Sequence, residues 1–77
     1  MEKELIEYIA KALVDNPGAV RVNMIDGEKA DVLELGVGEG DLGKVIGKRG
    51  RIAKALRVVL QAAGAKSGRR VVLEILD

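Results

Sequence analysis

The 77-residue chain has no cysteine, histidine, tryptophan or phenylalanine; Tyr8 is its one aromatic residue and Pro17 its one proline. Without cysteine there are no disulfide staples and no thiol chemistry, and without histidine as well a structural zinc site loses its usual ligands. No metal or cofactor is expected, and the fold must rest on packing. Ser67 and Tyr8 are the only side-chain hydroxyls, so no acid-base or nucleophilic set can be assembled and an enzyme is not expected. A lone tyrosine also rules out the stacking platforms on which some nucleic-acid-binding folds rely. No apolar run approaches the roughly 20 residues that span a bilayer. The leading "MEKELIEY" is acidic where a signal peptide is basic and then apolar, so the chain is expected to be cytoplasmic with no membrane partner.

What is present is a globular composition, 48% hydrophobic and 32% charged, in a length that suits one small domain over residues 1–77. A domain of this size buries only about 60% of its unfolded surface, so its margin of stability is narrow. The net charge of +1 conceals a split: residues 1–41 carry ten acids and four bases (4 − 10 = −6), residues 42–77 nine bases and two acids (9 − 2 = +7). No acid occurs from Leu42 to Leu73, and six of the nine bases lie between Lys44 and Arg57. A solvated helix face ordinarily mixes signs, so this segregation points to an anionic partner.

Patterning gives the elements. Leu5, Ile6, Ile9, Ala10 and Leu13 recur at helical spacing over 2–14, with acids early where the helix dipole favours them. "DNPG" (15–18) stops that helix. "AVRVNMID" alternates through Val20, Val22 and Met24 until Ile25 breaks the pattern, and "ADVLELGV" alternates through Leu33, Leu35 and Val37. Between them "DGEK" reads as a hairpin turn, with Asp26 and Gly27 offering positive φ. Asp41 is placed to cap a short helix over 42–46 by accepting from its free amides. "RIAKALRVVLQAA" is a second helix ending near Gly64, and "RRVVLEIL" a last strand. The order is α-β-β-α-α-β, and the last strand, reached through two helices, should run parallel to the second. The fold class is α+β: a three-stranded mixed sheet with helices packed on one face. "GAKSGRR" (64–70) reads as the one segment both mobile and basic.

The chemistry concentrates at "VIGKRG" (45–50). A bare G-x-x-G is weak in a chain with ten glycines, but Gly47-Lys48-Arg49-Gly50 sits between two helices at the head of the most basic stretch. Glycines let backbone approach a ligand, amides at the start of the following helix can donate to an anion, and Lys48 and Arg49 supply counter-charge. A competing signal, Gly38 to Lys44, spells both a dinucleotide fingerprint and most of a P-loop. It fails on chemistry. Val45 stands where a P-loop needs Ser or Thr for Mg²⁺, Glu39 and Asp41 would crowd phosphates, and no acid lies about 20 residues on for a ribose.

"VIGKRGRIAKAL" resembles the signature of the KH domain, and the element order is that of its type II arrangement. With the whole chain accounted for, the sequence resembles the small stand-alone bacterial KH proteins of the KhpA family. That resemblance implies a single KH domain that binds single-stranded RNA, acting as a post-transcriptional regulator or RNA chaperone. The G-x-x-G loop would grip the backbone while about four nucleotides lie in an adjoining groove. Gly47 and Gly50 would be the close-approach positions, Lys48 and Arg49 the pair facing phosphate, and Ile46 an apolar wall for a base. Lys44, Arg51 and Lys54 extend the positive field by their charge. "GAKSGRR" corresponds to the variable loop, from which Lys66, Arg69 and Arg70 could reach the groove's far side.

A second reading, a protein-interaction module, comes from the second helix. At 100° per residue from Ile52 its apolar positions cover an arc of roughly 220°, more than one core contact requires. Ala55, Val58 and Ala62 lie at the edge of that arc and form a candidate dimer face. The resemblance implies a homodimer or a heterodimer with a larger Jag-type KH protein. Lys54, Arg57 and Gln61 lie on the opposite, polar stripe, so RNA binding and dimerisation are compatible.

Overall fold

Alternating burial builds a three-stranded sheet in the computed structural model, which describes residues 1–77. Strand β1 (Arg21–Ile25) pairs antiparallel with β2 (Asp31–Gly36), which pairs parallel with β3 (Val71–Ile75). The register sets Arg21 opposite Gly36, Ile25 opposite Val32, Asp31 opposite Val71 and Leu35 opposite Ile75. Val22, Leu33, Leu35, Val71 and Leu73 all face one side and are buried. The residues between them, among them Asn23, Glu34 and Glu74, fall on the open face, where Asn23 Nδ2 donates to Glu34 Oε1 at 3.5 Å.

Three helices cover the buried face: α1 (Glu2–Leu13), α2 (Leu42–Ile46) and α3 (Arg51–Ser67). α1 contributes Ile6 and Ala10, α2 contributes Val45, and α3 a stripe of Ala53, Leu56, Leu60 and Gly64. Ile6, Leu33, Leu35, Leu60 and Val45 are fully buried, each contributing about 1.5–3 kcal/mol of transfer free energy. The parallel pair needs a long crossover, and α2 with α3 provide it. The expected α-β-β-α-α-β order and α+β class are those observed. No helix is long and apolar enough to cross a membrane.

Three local expectations are corrected. The hairpin connection, residues 26–30, is too long for a two-residue turn, and neither Asp26 nor Gly27 has a positive φ. Gly27 is needed for space instead, since a Cβ there would lie 2.2 Å from the Ala30 carbonyl oxygen. Helix α3 does not end near Gly64 but runs to Ser67, so the first four residues of the basic "GAKSGRR" segment are helical. Gly64 is a packing residue: a Cβ would sit 2.4 Å from the Arg69 carbonyl oxygen, where the chain folds back to start β3.

Asp41 is the third. It occupies the residue before α2 but makes no side-chain bond to that helix. Its carboxylate instead accepts from the backbone N–H groups of Asp15, at 3.3 Å, and Asn16, at 3.0 Å, just beyond the end of α1. At 4% exposure it is the one buried charged side chain. It ties the end of the first helix to the start of the second across 25 residues of chain.

The link between α2 and α3 is a single 3₁₀ turn, Lys48–Gly50. Gly47 enters it at φ 76°, ψ 172°, Arg49 sits at φ 57°, ψ 25°, and Gly50 leaves at φ 73°, ψ 18°. The Gly47 conformation belongs to a region almost reserved for glycine. A Cβ on it would also meet Ile52 Cγ1 at 2.6 Å, whereas one on Gly50 would meet nothing within 4 Å.

Two outcomes follow in urea unfolding. Asp41→Ala should cost about 2–3 kcal/mol, because two amides lose a charged acceptor, and Asp41→Asn should cost less because an acceptor oxygen remains. Gly50→Ala should cost about 1 kcal/mol, the ordinary left-handed penalty, and Gly47→Ala about 3 kcal/mol, since backbone strain and a clash add.

Candidate nucleic-acid interface

Burying Ala53, Leu56, Leu60 and Gly64 against the sheet fixes how α3 is turned about its axis. Lys54, Arg57 and Gln61, three and four residues apart, then line one exposed flank, and Ala55, Val58 and Ala62 the other. The first flank faces β3, which is an edge strand. A cavity of about 110 Å³ lies between Arg57 and Gln61 on the helix and Arg70, Val71, Val72 and Leu73 on the strand. A second, of about 370 Å³, adjoins it through Gln61, Arg70 and Val71 and reaches Gly68 and Arg69. Together they form a groove along the sheet edge. The Arg70 carbonyl and the Leu76 N–H bond to β2. By the alternation of a parallel ladder, the peptide groups of Val71, Leu73 and Ile75 therefore point away from β2, toward the free edge.

The Gly47–Gly50 turn lies just before α3, beyond the cavities, whose first lining residue on the helix is Arg57. Lys48 and Arg49 are exposed at its tip, and Ile46, Gly47 and Gly50 are half-buried beneath them. The turn uses several of its own amides: Gly47 donates to Gly43 O at 2.9 Å, Gly50 to Gly47 O at 3.1 Å, and Arg51 to Lys48 O. The amides expected to face an anion at the start of α3 are thus partly spent on closing the turn. Charge must carry more of any grip on a phosphate.

Of the nine bases between Lys44 and Arg70, two are ion-paired. Lys44 Nζ lies 3.3 Å from Asp15 Oδ2 and 3.9 Å from Asp41 Oδ1, so it is turned back toward the end of α1. Arg69 forks onto Asp31 at the start of β2. Its guanidinium holds the Asp31 carboxyl below the usual carboxylate range, chiefly by hydrogen bonding, and its own pKa is raised in return. The other seven (9 − 2), Lys48, Arg49, Arg51, Lys54, Arg57, Lys66 and Arg70, are exposed and make no ion pair. Helix α3 has no acid in its first turn, so Arg51 and Lys54 sit unrelieved at the positive end of its dipole. Arg51, Lys54 and Arg57 repel one another at spacings of three. A fold indifferent to ligands would gain by placing glutamates there.

Gly47, Lys48, Arg49, Gly50, Arg51 and Lys54 lie in the turn and the first part of α3, next to Ile46; none of them lines either cavity, and Lys44 is turned aside. The family resemblance led to the expectation of an adjoining groove, with Lys66, Arg69 and Arg70 able to reach its far side, but did not name the residues of α3 that line it. Arg57, Gln61 and Arg70 line it because α3 and β3 are brought side by side by a pairing distant in sequence. For Arg57 and Gln61 the legible hint was the polar stripe they form with Lys54. No three acidic side chains converge as metal ligands would.

Comparison with known proteins identifies the family. The family model described as KhpA/KhpB, KH domain, matches residues 3–75. RNA-binding protein KhpA of Borreliella burgdorferi is 58% identical over 76 residues, covering 99% of this chain and 93% of the relative. RNA-binding protein KhpA of Aquifex aeolicus is 60% identical over 75 residues, covering 97% and 95%. Among solved structures, Era in complex with MgGDPNP and nucleotides 1506–1542 of 16S ribosomal RNA superposes with a TM-score of 0.60 at 26% identity. That match covers 96% of this chain but 28% of the Era chain, so the likeness is to one part of a longer protein. With the family model matching nearly its whole length and relatives of that name 58–60% identical to it, the chain belongs to the KhpA/KhpB family of KH-domain proteins.

Proposed function

We propose that this protein is a non-enzymatic single-stranded RNA-binding module, acting as a post-transcriptional regulator or RNA chaperone. The observation that carries the reading is the set of unpaired cations on the Gly47–Gly50 turn and along α3, of which Arg57, with Arg70 opposite it, lines the groove between α3 and β3. Lys48 and Arg49 face phosphate, Gly47 and Gly50 let the strand approach, and Arg51 and Lys54 continue the positive field along the helix. Lys44 contributes least, its charge being offset by Asp15 and Asp41. Ile46 and the aliphatic residues of β3 supply walls for unstacked bases. A groove between one helix and one strand suits bases presented singly, as RNA loops and ends present them, more than a duplex. With no aromatic surface to stack on, base selectivity is modest. The names of the relatives, RNA-binding protein KhpA, support the same reading.

A second reading accompanies it. Val58 is 63% exposed and Val59 37% on the flank of α3 away from the groove, and with Ala55 and Ala62 they form an apolar strip. Small side chains allow close helix approach, so the strip fits a homodimer, or a heterodimer with a larger KH protein of the Jag type. The groove flank stays open in either assembly.

Replacing both Lys48 and Arg49 by Asp should abolish binding of a short single-stranded RNA while the circular dichroism spectrum stays native. Loss of the native spectrum would mean that the loop is structural. With three or four phosphates neutralised, log affinity of the wild type should fall against log salt with a slope of about −2 to −3. A flat response would contradict the model. Val58→Glu should convert an associating species to monomer in sedimentation without changing secondary structure; a wild type that is monomeric at high concentration would end the dimer reading.

A further inference from the structure

We infer that Asp31 and Arg69 form a positioning clamp for RNA binding, holding the short connection between α3 and β3 so that the neighbouring Arg70 presents its charge to the groove. The inference rests on the RNA-binding reading above. It starts from an asymmetry. Arg69 and Arg70 are adjacent and chemically identical, yet the fold gives them opposite circumstances.

Arg69 is held at both ends. Its backbone N–H donates to the Gly64 carbonyl at 2.9 Å. Its guanidinium donates through Nε to Asp31 Oδ2 at 3.3 Å, through Nη2 to Asp31 Oδ1, and through Nη2 to the Gly27 carbonyl at 3.0 Å. Asp31 is committed too: its Oδ1 accepts from the Gly27 N–H at 3.3 Å, and its own N–H donates to the Arg70 carbonyl at 2.9 Å. One acid therefore grips residue 69 by the side chain and residue 70 by the backbone, 38 positions along the chain. The Asp31 side chain is only 13% exposed. Arg70, by contrast, makes no side-chain hydrogen bond or ion pair and lines both cavities of the groove. Arg69 is neutralised, and Arg70 is left charged on a backbone that cannot wander. Ordering such a segment in advance spares the entropy that binding would otherwise lose, about 0.5–1.5 kcal/mol per immobilised side chain.

Electrostatics and positioning predict opposite signs for one substitution. Asp31→Asn removes a negative charge near the groove, so the field alone would tighten RNA. The clamp predicts weaker binding, by about 2- to 10-fold for the ordering of one side chain. The measurement is the affinity of the full chain for a short mixed-sequence single-stranded RNA at fixed salt, for wild type, Asp31→Asn, Arg70→Gln and the double variant. Asp31→Asn should weaken binding in the wild-type background and have little further effect once Arg70 is Gln. Unchanged or tighter binding by Asp31→Asn overturns the clamp. So does a loss of equal size in both backgrounds, which would mark a general structural effect. If Asp31→Asn loses its native circular dichroism spectrum, Arg69→Gln takes its place in the same cycle, with coupling to Arg70 as the expected result and additivity as the refuting one. Should Lys48→Asp with Arg49→Asp abolish binding while Asp31→Asn binds as well as wild type, only the clamp fails. Should that double variant bind like wild type, the turn's proposed role fails instead.

Discussion

The seating of α3 on the sheet governs the rest of the molecule. A stripe repeating at three and four residues, Ala53, Leu56, Leu60 and Gly64, is buried, with Leu56 and Leu60 in one core cluster with Leu33, Leu35, Val71 and Leu73, and a helix buried on one stripe has no rotational freedom left. Every other position on it is then assigned. The flank carrying Lys54, Arg57 and Gln61 meets the free edge of β3, and the flank carrying Ala55, Val58 and Ala62 is turned outward. The glycine turn lies just before the start of the same helix, beyond the cavities. Hydrophobic packing, which has no sense of direction, thereby aims charged groups that never enter the core.

Electrostatics then sorts the basic half of the chain. The two cations that are paired each find an acid belonging to the acidic half: Lys44 meets Asp15 and Asp41 at one end of the molecule, and Arg69 meets Asp31 at the other. The Lys44–Asp15 and Arg69–Asp31 pairs join parts of the chain that are far apart in sequence, while the bases between them stay unpaired. Ion pairs whose cation stays in water, as Lys44 and Arg69 do, contribute little stability individually. Their effect here is selective, since they remove certain charges from the interface and leave others. In a domain with a narrow margin of stability, the repulsion among Arg51, Lys54 and Arg57 is a cost the fold itself does not need.

The parts of this arrangement legible in the sequence were those with local periodicity. Alternation in 20–24 and 33–37 and the helical spacing in 5–13 identified elements whose burial follows the same pattern, and the parallel placement of the last strand followed from its long connection. Contacts between distant residues were not legible. Asp41 has the local mark of a helix cap, and nothing nearby in sequence says that its carboxylate turns to the amides of Asp15 and Asn16 instead. Gly64 resembles a helix terminator until the path of the returning chain is known. Arg69 and Arg70 read alike, because what separates them is an aspartate at the start of another strand. For the candidate site, the turn was visible as glycines between cations, but the groove needs two elements that meet only after folding.

Gly64 carries a consequence for recognition. At that point α3 and the returning backbone are as close as two chains can come: the space a side chain would fill is occupied by the Arg69 carbonyl. The far end of the cleft therefore has its width set by a residue without a side chain, one that touches no ligand. Any bulkier residue there would prise strand from helix and widen the slot. The spacing of helix and strand at that end is thus written in the absence of a single carbon atom, on the buried side of the helix.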